Sequence, residues 1–149
     1  MENYQEMNRR HQKEVNELPL HFAFGQTQWE NLLAELGLTE ETAKEKLCTM
    51  GGAIVLKSDS GKIADTFKRH QAELEKAMEN AEFLKSAFMY EMGNHEYQIN
   101  AQGAYDVLCA LGFDCEYEHE LDCLTENQKK IWEDARKEYW DMCIKNDWF

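Results

Sequence analysis

A mainly helical α+β fold with a small two- or three-stranded sheet, in a single domain over residues 1–149, is what the sequence predicts, and three observations carry it. Most of the chain repeats its apolar residues at three- and four-residue intervals, as amphipathic helices do. Only three short stretches, residues 20–24, 53–56 and 95–99, read as strands. A length of 149 residues suffices for one core and falls short of two ordinary domains.

The elements follow in order. Residues 2–17 are rich in Glu, Gln, Arg and Lys, with Met7, Val15 and Leu18 as sparse apolar points, so the first helix is expected to be mostly solvated. Pro19, the only proline, biases Leu18 away from helical geometry and ends that helix near residue 17. Leu20-His21-Phe22-Ala23-Phe24 alternates and carries β-favouring aromatics, and Gly25 interrupts it. Thr27-Gln28-Trp29-Glu30 has the form of a capping box, so a short strand is expected to feed a helix bearing Trp29, Leu32, Leu33 and Leu36. Gly37 stops that helix, and Thr39 opens another that ends before Gly51-Gly52.

Ala53-Ile54-Val55-Leu56 lies between the glycine pair and Ser58-Asp59-Ser60-Gly61, which marks a buried strand. Ile63, Phe67, Leu74 and Met78, then Phe83, Leu84, Ala87, Phe88 and Met92, give two helices or one bent helix over residues 62–80 and 82–92. Residues 95–99 offer a third strand, and residues 103–111 a helix closed by Gly112. The last helix starts at Thr125 and runs to about Asn146. Its Trp132, Ala135, Tyr139 and Cys143 make a core stripe, while Trp140, Ile144 and Trp148 make a second, displaced one. Burial of the second stripe under the N-terminal helix is expected; the alternative is an exposed anchor for a partner.

Charge narrows the classes of function. With 29 acidic and 16 basic residues the formal charge is −13, which repels nucleic acid and anionic membranes and attracts basic surfaces. The excess is uneven: residues 101–149 hold 12 Asp/Glu against five Lys/Arg, residues 51–100 eight against six. Colloidal solubility alone accounts for such a charge, and a partner with a basic groove is the more specific reading. Five cysteines, an odd count, and a polar start without a signal-like apolar segment predict a reduced, cytoplasmic protein. The four aliphatic residues at 53–56 fall far below the roughly 20 that a membrane span needs.

The most informative stretch is Asp114-Cys115-Glu116-Tyr117-Glu118-His119-Glu120-Leu121-Asp122-Cys123, in which every second residue is acidic. If extended, it sets Asp114, Glu116, Glu118, Glu120 and Asp122 on one face about 6.6 Å apart, an acidic ladder that imitates a nucleic-acid backbone. If helical, it aligns Cys115, His119 and Cys123 instead. With Cys109 these make a Cys₃His set, but the spacing matches no standard zinc module, and buried free cysteines are the expectation.

A second constellation is polar: Glu91, Asn94, His95, Glu96 and Tyr97 gather amide, imidazole, carboxylate and phenol at a helix end. An imidazole oriented by carboxylates serves as a base or a metal ligand. No HExxH-like spacing accompanies it, and helix capping by Asn94 with Tyr97 entering the core explains the same residues. Lys62 is followed by Ile63 rather than Ser or Thr and lacks the GxxxxGK spacing, so no phosphate loop is read. No local signature joins a cysteine to a histidine for nucleophilic catalysis. No cofactor and no metal are expected. Arg10-His11-Gln12-Lys13-Glu14 also echoes Arg69-His70-Gln71-Ala72-Glu73, each with an Arg/Glu pair four apart; two ordinary charged helix faces account for it.

The combination RHQKEVNELPLHFAF, GGAIVLK and YEMGNHEY, over about residues 9–100, resembles a family of small uncharacterised acidic proteins from phages and mobile elements of Firmicutes. The resemblance carries no site residues; it implies a setting in which genes often encode inhibitors of host defence. The resulting expectation is a non-enzymatic protein that binds a basic surface of another protein, as a nucleic-acid mimic inhibiting a defence nuclease. Asp114, Glu116, Glu118, Glu120 and Asp122 would carry that binding, with Trp140 and Trp148 as apolar anchors. The rivals are a small metal-dependent hydrolase centred on His95, Glu96, Glu91 and His70, and a structural or assembly component.

Overall fold

The structure is a computed structural model describing residues 1–149. Seven helices and one antiparallel hairpin make a mainly helical α+β protein: α1 (Tyr4–Asn16), α2 (Gln26–Leu36), α3 (Glu40–Lys46), β1 (Leu47–Met50), β2 (Ala53–Leu56), α4 (Ser60–Ala77), α5 (Ala81–Asn94), α6 (Gly103–Ala110) and α7 (Glu126–Asn146). No helix is long and apolar enough to cross a membrane. The chain divides into two units, residues 12–70, and residues 1–11 with 71–149.

In the unit of residues 12–70, the glycine pair makes a two-residue hairpin turn. Gly51 and Gly52 both take positive φ, 57° and 86°, as the tight turn that matches strand twist requires. The turn pairs Met50 with Ala53 and, at the far end, Leu47 with Leu56. Residues 47–50 are therefore a strand, where the sequence predicts the tail of the preceding helix; α3 stops at Lys46. The strand expected at residues 20–24 contracts to one bridge, in which His21 and Ile54 exchange both backbone hydrogen bonds at 2.9 and 2.7 Å. Pairing ends there because the Phe24 amide donates instead to Gln28 Oε1 at 2.7 Å, leaving Phe22 and Phe24 stacked and exposed.

The capping box expected at Thr27 does not form. α2 begins at Gln26, so Thr27 already lies in its first turn, and Gly25 at φ 121° occupies the cap position. Gly37 closes α2 in left-handed geometry, with the Leu38 amide reaching back to Leu33 O at 2.8 Å. Thr39 caps α3 as expected, with Thr42 completing a reciprocal pair. Ala53, Val55 and Ile63 form the small core here, joined by Leu18, Leu20, Cys48 and Met50.

In the other unit, α5, α6 and α7 enclose the larger core, centred on Phe88, Met92, Leu108, Leu111 and Trp132. Asn80 separates α5 from α4: its side chain accepts the Phe83 amide at 3.0 Å, so the two-helix alternative holds. Thr125 caps α7 with Gln128, and Trp132, Ala135, Tyr139 and Cys143 are buried, as their spacing predicts. The start of α1 is less solvated than expected, since Tyr4 and Met7 join this core and the Tyr4 ring meets Phe83 edge-on at 6.1 Å.

Residues 95–99 form turns rather than a third strand. The Tyr97 amide donates to Met92 O at 2.9 Å and the Ile99 and Asn100 amides to Glu96 O, so the backbone groups a strand would offer are satisfied locally. Glu96 takes φ 50° to make that fold-back. Tyr97 lies against α6 so closely that a Cβ on Gly103 would stand 3.1 Å from the Tyr97 Cα, which is why the helix opens on glycine. At its other end α6 closes on Gly112 at φ 83°, where the Phe113 amide returns to Leu108 O and the Gly112 amide to Cys109 O, both at 3.0 Å.

The RHQxE echo is a matter of partnership. Glu73 takes Arg10 Nη2 at 2.9 Å and His11 Nε2 at 2.7 Å. In the unit of residues 12–70, Glu14 takes Arg69 and, at 3.2 Å, His70 Nε2. Each copy's glutamate is thus held by the arginine and histidine of the other copy. The Arg69 guanidinium, then His70, hold the Glu14 carboxyl well below the usual range, at about 2. A depressed folded-state carboxyl stabilises above its unfolded value and loses that contribution as pH falls towards its folded value. Glu14→Gln is therefore expected to lower the urea midpoint at neutral pH, with the difference from wild type shrinking between pH of about 4.5 and about 2. A difference that persists unchanged at the acid end would show that the pair contributes through shape alone.

Candidate functional site

Residues 114–123 are neither strand nor α-helix. The chain is irregular through Glu116, turns at Tyr117-Glu118 with Glu118 at φ 71°, and closes in a 3₁₀ turn over Glu120–Cys123. No neighbouring strand offers a ladder, while Phe113, Cys115, Leu121 and Cys123 pack against the larger core and pull the segment out of alternation. The even acidic ladder is corrected accordingly. Asp114, Glu116, Glu118 and Asp122 are exposed; Glu120 is half-buried and its carboxylate accepts the Glu118 amide at 3.0 Å. The loop thus presents a cluster of carboxylates without a repeat. His119 is exposed beside Asp122, whereas Cys115 and Cys123 are half-buried, so the helical Cys-His-Cys face is absent too. No group of three or more His, Cys, Asp or Glu side chains is arranged to hold a metal ion.

The second stripe of α7 is exposed, contrary to the expected burial under the N-terminal helix: Trp140 keeps 37%, Ile144 61% and Trp148 46% of its surface accessible. The apolar residues of α1 are used elsewhere, Tyr4 against Phe83 and Tyr90. The end of the chain is nevertheless held. Asp147 in left-handed geometry turns the backbone so that the Trp148 amide donates to Cys143 O at 3.1 Å. Gln98 Nε2 donates to Trp148 O at 3.0 Å, and Gln98 Oε1 accepts from the Tyr139 hydroxyl at 2.6 Å. Phe149 lies edge-on to Trp140 at 5.2 Å. Beside them Met89, Tyr90, Tyr139, Met142 and Trp148 line an open groove of about 430 Å³.

The polar constellation is split. Glu91 is buried on α5; the Tyr4 hydroxyl donates to its Oε1 at 2.5 Å and Asn94 Nδ2 to its Oε2 at 3.2 Å. Burial first, and the Glu91 acceptor second, push the Tyr4 hydroxyl well above the ordinary phenol range. His95 Nε2 lies 3.3 Å from Glu91 Oε2 but is not aligned for a hydrogen bond, so this buried nitrogen has no hydrogen-bond partner. Glu96 points to solvent, and Tyr97 enters the core against Trp132 at 5.8 Å, its hydroxyl raised chiefly by burial. His70 is engaged by Glu14. The carboxylate of Glu91 is thus pinned from two sides, an arrangement that fixes α1 to α5. Sequence reasoning missed Tyr4, which stands 87 residues from its partner; no local signal marks it.

A family model matches residues 3–134, and its description is a family of unknown function. The chain belongs to DUF7659. The DUF7659 match takes in the Glu91 cluster, the acidic loop and the first turns of α7, and extends beyond the resemblance at residues 9–100. Trp140, Ile144 and Trp148 lie outside the DUF7659 segment. No curated protein and no solved structure matches the chain.

Proposed function

We propose that this DUF7659 protein is a non-enzymatic acidic binding protein that docks on a basic surface of another protein. The observation that carries the reading is the held, exposed apolar end of α7, where Trp140, Ile144, Trp148 and Phe149 remain open to solvent. Tryptophan and other large side chains already fixed in place lose little freedom on binding and dominate interfaces. The formal charge of −13, concentrated towards the C-terminal third and displayed by Asp114, Glu116, Glu118 and Asp122, selects a basic partner. The Glu91 cluster favours no enzymatic rival, since both oxygens of its carboxylate are occupied by Tyr4 and Asn94.

In its specific form, the partner is a nucleic-acid-binding nuclease of a bacterial defence system, occupied in the cytoplasm by a phage or mobile-element inhibitor. The resemblance over residues 9–100 supports that setting. Mimicry of nucleic acid then rests on charge density, because the loop carboxylates do not repeat at phosphate-like intervals. The test is binding to a basic nuclease captured from bacterial lysate, titrated with salt and with a competing oligonucleotide. Competition and a steep loss of affinity with salt are expected; binding indifferent to both removes the mimic reading.

A further inference from the structure

The acidic loop carries a feature that partner binding does not use. Cys109 sits in the last turn of α6, and the Gly112 reversal folds the chain back so that Cys115 Sγ comes to 3.6 Å from Cys109 Sγ. Two sulfurs at van der Waals contact need to close by only about 1.5 Å to bond. Cys109 is exposed and therefore open to a soluble reagent, while Cys115 is half-buried behind it. The third nearby thiol is engaged elsewhere: Cys123 Sγ donates to Glu120 O at 3.1 Å.

We propose that Cys109 and Cys115 are a reactive dithiol that forms a reversible intramolecular disulfide by exchange with a small-molecule disulfide of the glutathione class. The Cys109 thiolate attacks the glutathione disulfide, forming a protein–glutathione bond and releasing one glutathione thiolate. Cys115 then attacks the Cys109 sulfur, its proton passes to solvent, and the second glutathione leaves. The protein gives up two electrons, the glutathione disulfide accepts them, and the two released glutathione thiolates take up from solvent the two protons that the cysteines gave to it. Cys109 is the exposed thiol of the pair, which assigns the first attack to it, while burial, with Cys109 as a hydrogen-bonding neighbour, pushes the Cys115 thiol up. The bond ties the end of α6 to the start of the acidic loop, so the redox state of the pair is coupled to the backbone that presents Asp114 and Glu116.

The full chain, equilibrated with an excess of oxidised over reduced glutathione, quenched by alkylation and mapped by mass spectrometry, tests this. A form with three rather than five alkylated cysteines, cross-linked between Cys109 and Cys115 and restored to full labelling by dithiothreitol, is expected. It should disappear in Cys109→Ser and Cys115→Ser and survive in Cys123→Ser. A glutathione adduct that accumulates at Cys109 without resolution, a cross-link to Cys123, or all five thiols remaining free would each overturn it. The wild-type peptide map decides the matter even where a serine variant folds poorly.

Discussion

Trp132→Ala is expected to destabilise the protein by about 3–5 kcal/mol, the range for truncating a large aromatic in a packed core. The indole is 2% exposed and is held edge-on by Phe88 at 5.0 Å and Tyr97 at 5.8 Å. Its removal leaves a hole between α5, α7 and the turn after α5, and Tyr97, already pressed against Gly103, has no room to move towards α6. Urea or guanidinium titration followed by circular dichroism measures the loss. Trp140→Ala, on the other stripe of the same helix at 37% exposure and with its ring against Phe149, serves as the control and should cost clearly less, about 1 kcal/mol. Similar losses at both positions would mean that the second stripe is covered in solution, and would undercut its use as a docking surface.

Reversal of Glu116, Glu118 and Asp122 to Lys is expected to weaken binding to a basic partner by at least about 10-fold at low salt and to flatten its salt dependence. The substitutions move the formal charge from −13 to about −7. All three side chains are exposed, so folding stability should be nearly unaffected. Glu120 is left in place because its carboxylate accepts the Glu118 amide and shapes the turn. Trp148→Ala is the apolar counterpart and is expected to raise the off-rate with little change in salt dependence. Unchanged affinity in the triple variant would remove the acidic loop from the interface and leave the apolar end of α7 as the sole candidate.

Local chemistry was legible wherever one side chain satisfies a nearby backbone group. Thr39 and Thr125 cap the helices their positions predict, Gly37 and Gly112 close two others, and the spacing of Trp132, Ala135, Tyr139 and Cys143 marks the buried face of α7. Where two local options competed, the sequence misled. Thr27 has capping chemistry, yet Gly25, whose positive φ suits a residue without a side chain, takes the cap position and starts the helix two residues earlier. Leu47–Met50 reads as the end of a helix, and only pairing with Ala53–Leu56 across the glycine turn makes it a strand. The alternating acids of the loop promise a ladder, but no strand lies beside them to hold one.

What the sequence by itself determined about this protein was its class and its electrostatics: a mainly helical chain with few strand-forming residues, an acidic surface, and the faces of its longer helices. These depend on composition and on spacing within a few residues. Tertiary structure decided which groups from distant positions meet. It set Tyr4 on Glu91, joined each RHQxE copy's glutamate to the arginine and histidine of the other, and left Trp140 and Trp148 open. The physical reason is that burial and hydrogen-bond satisfaction are properties of the packed chain, in which a residue's partner is fixed by how the helices close on one another rather than by its place in the sequence.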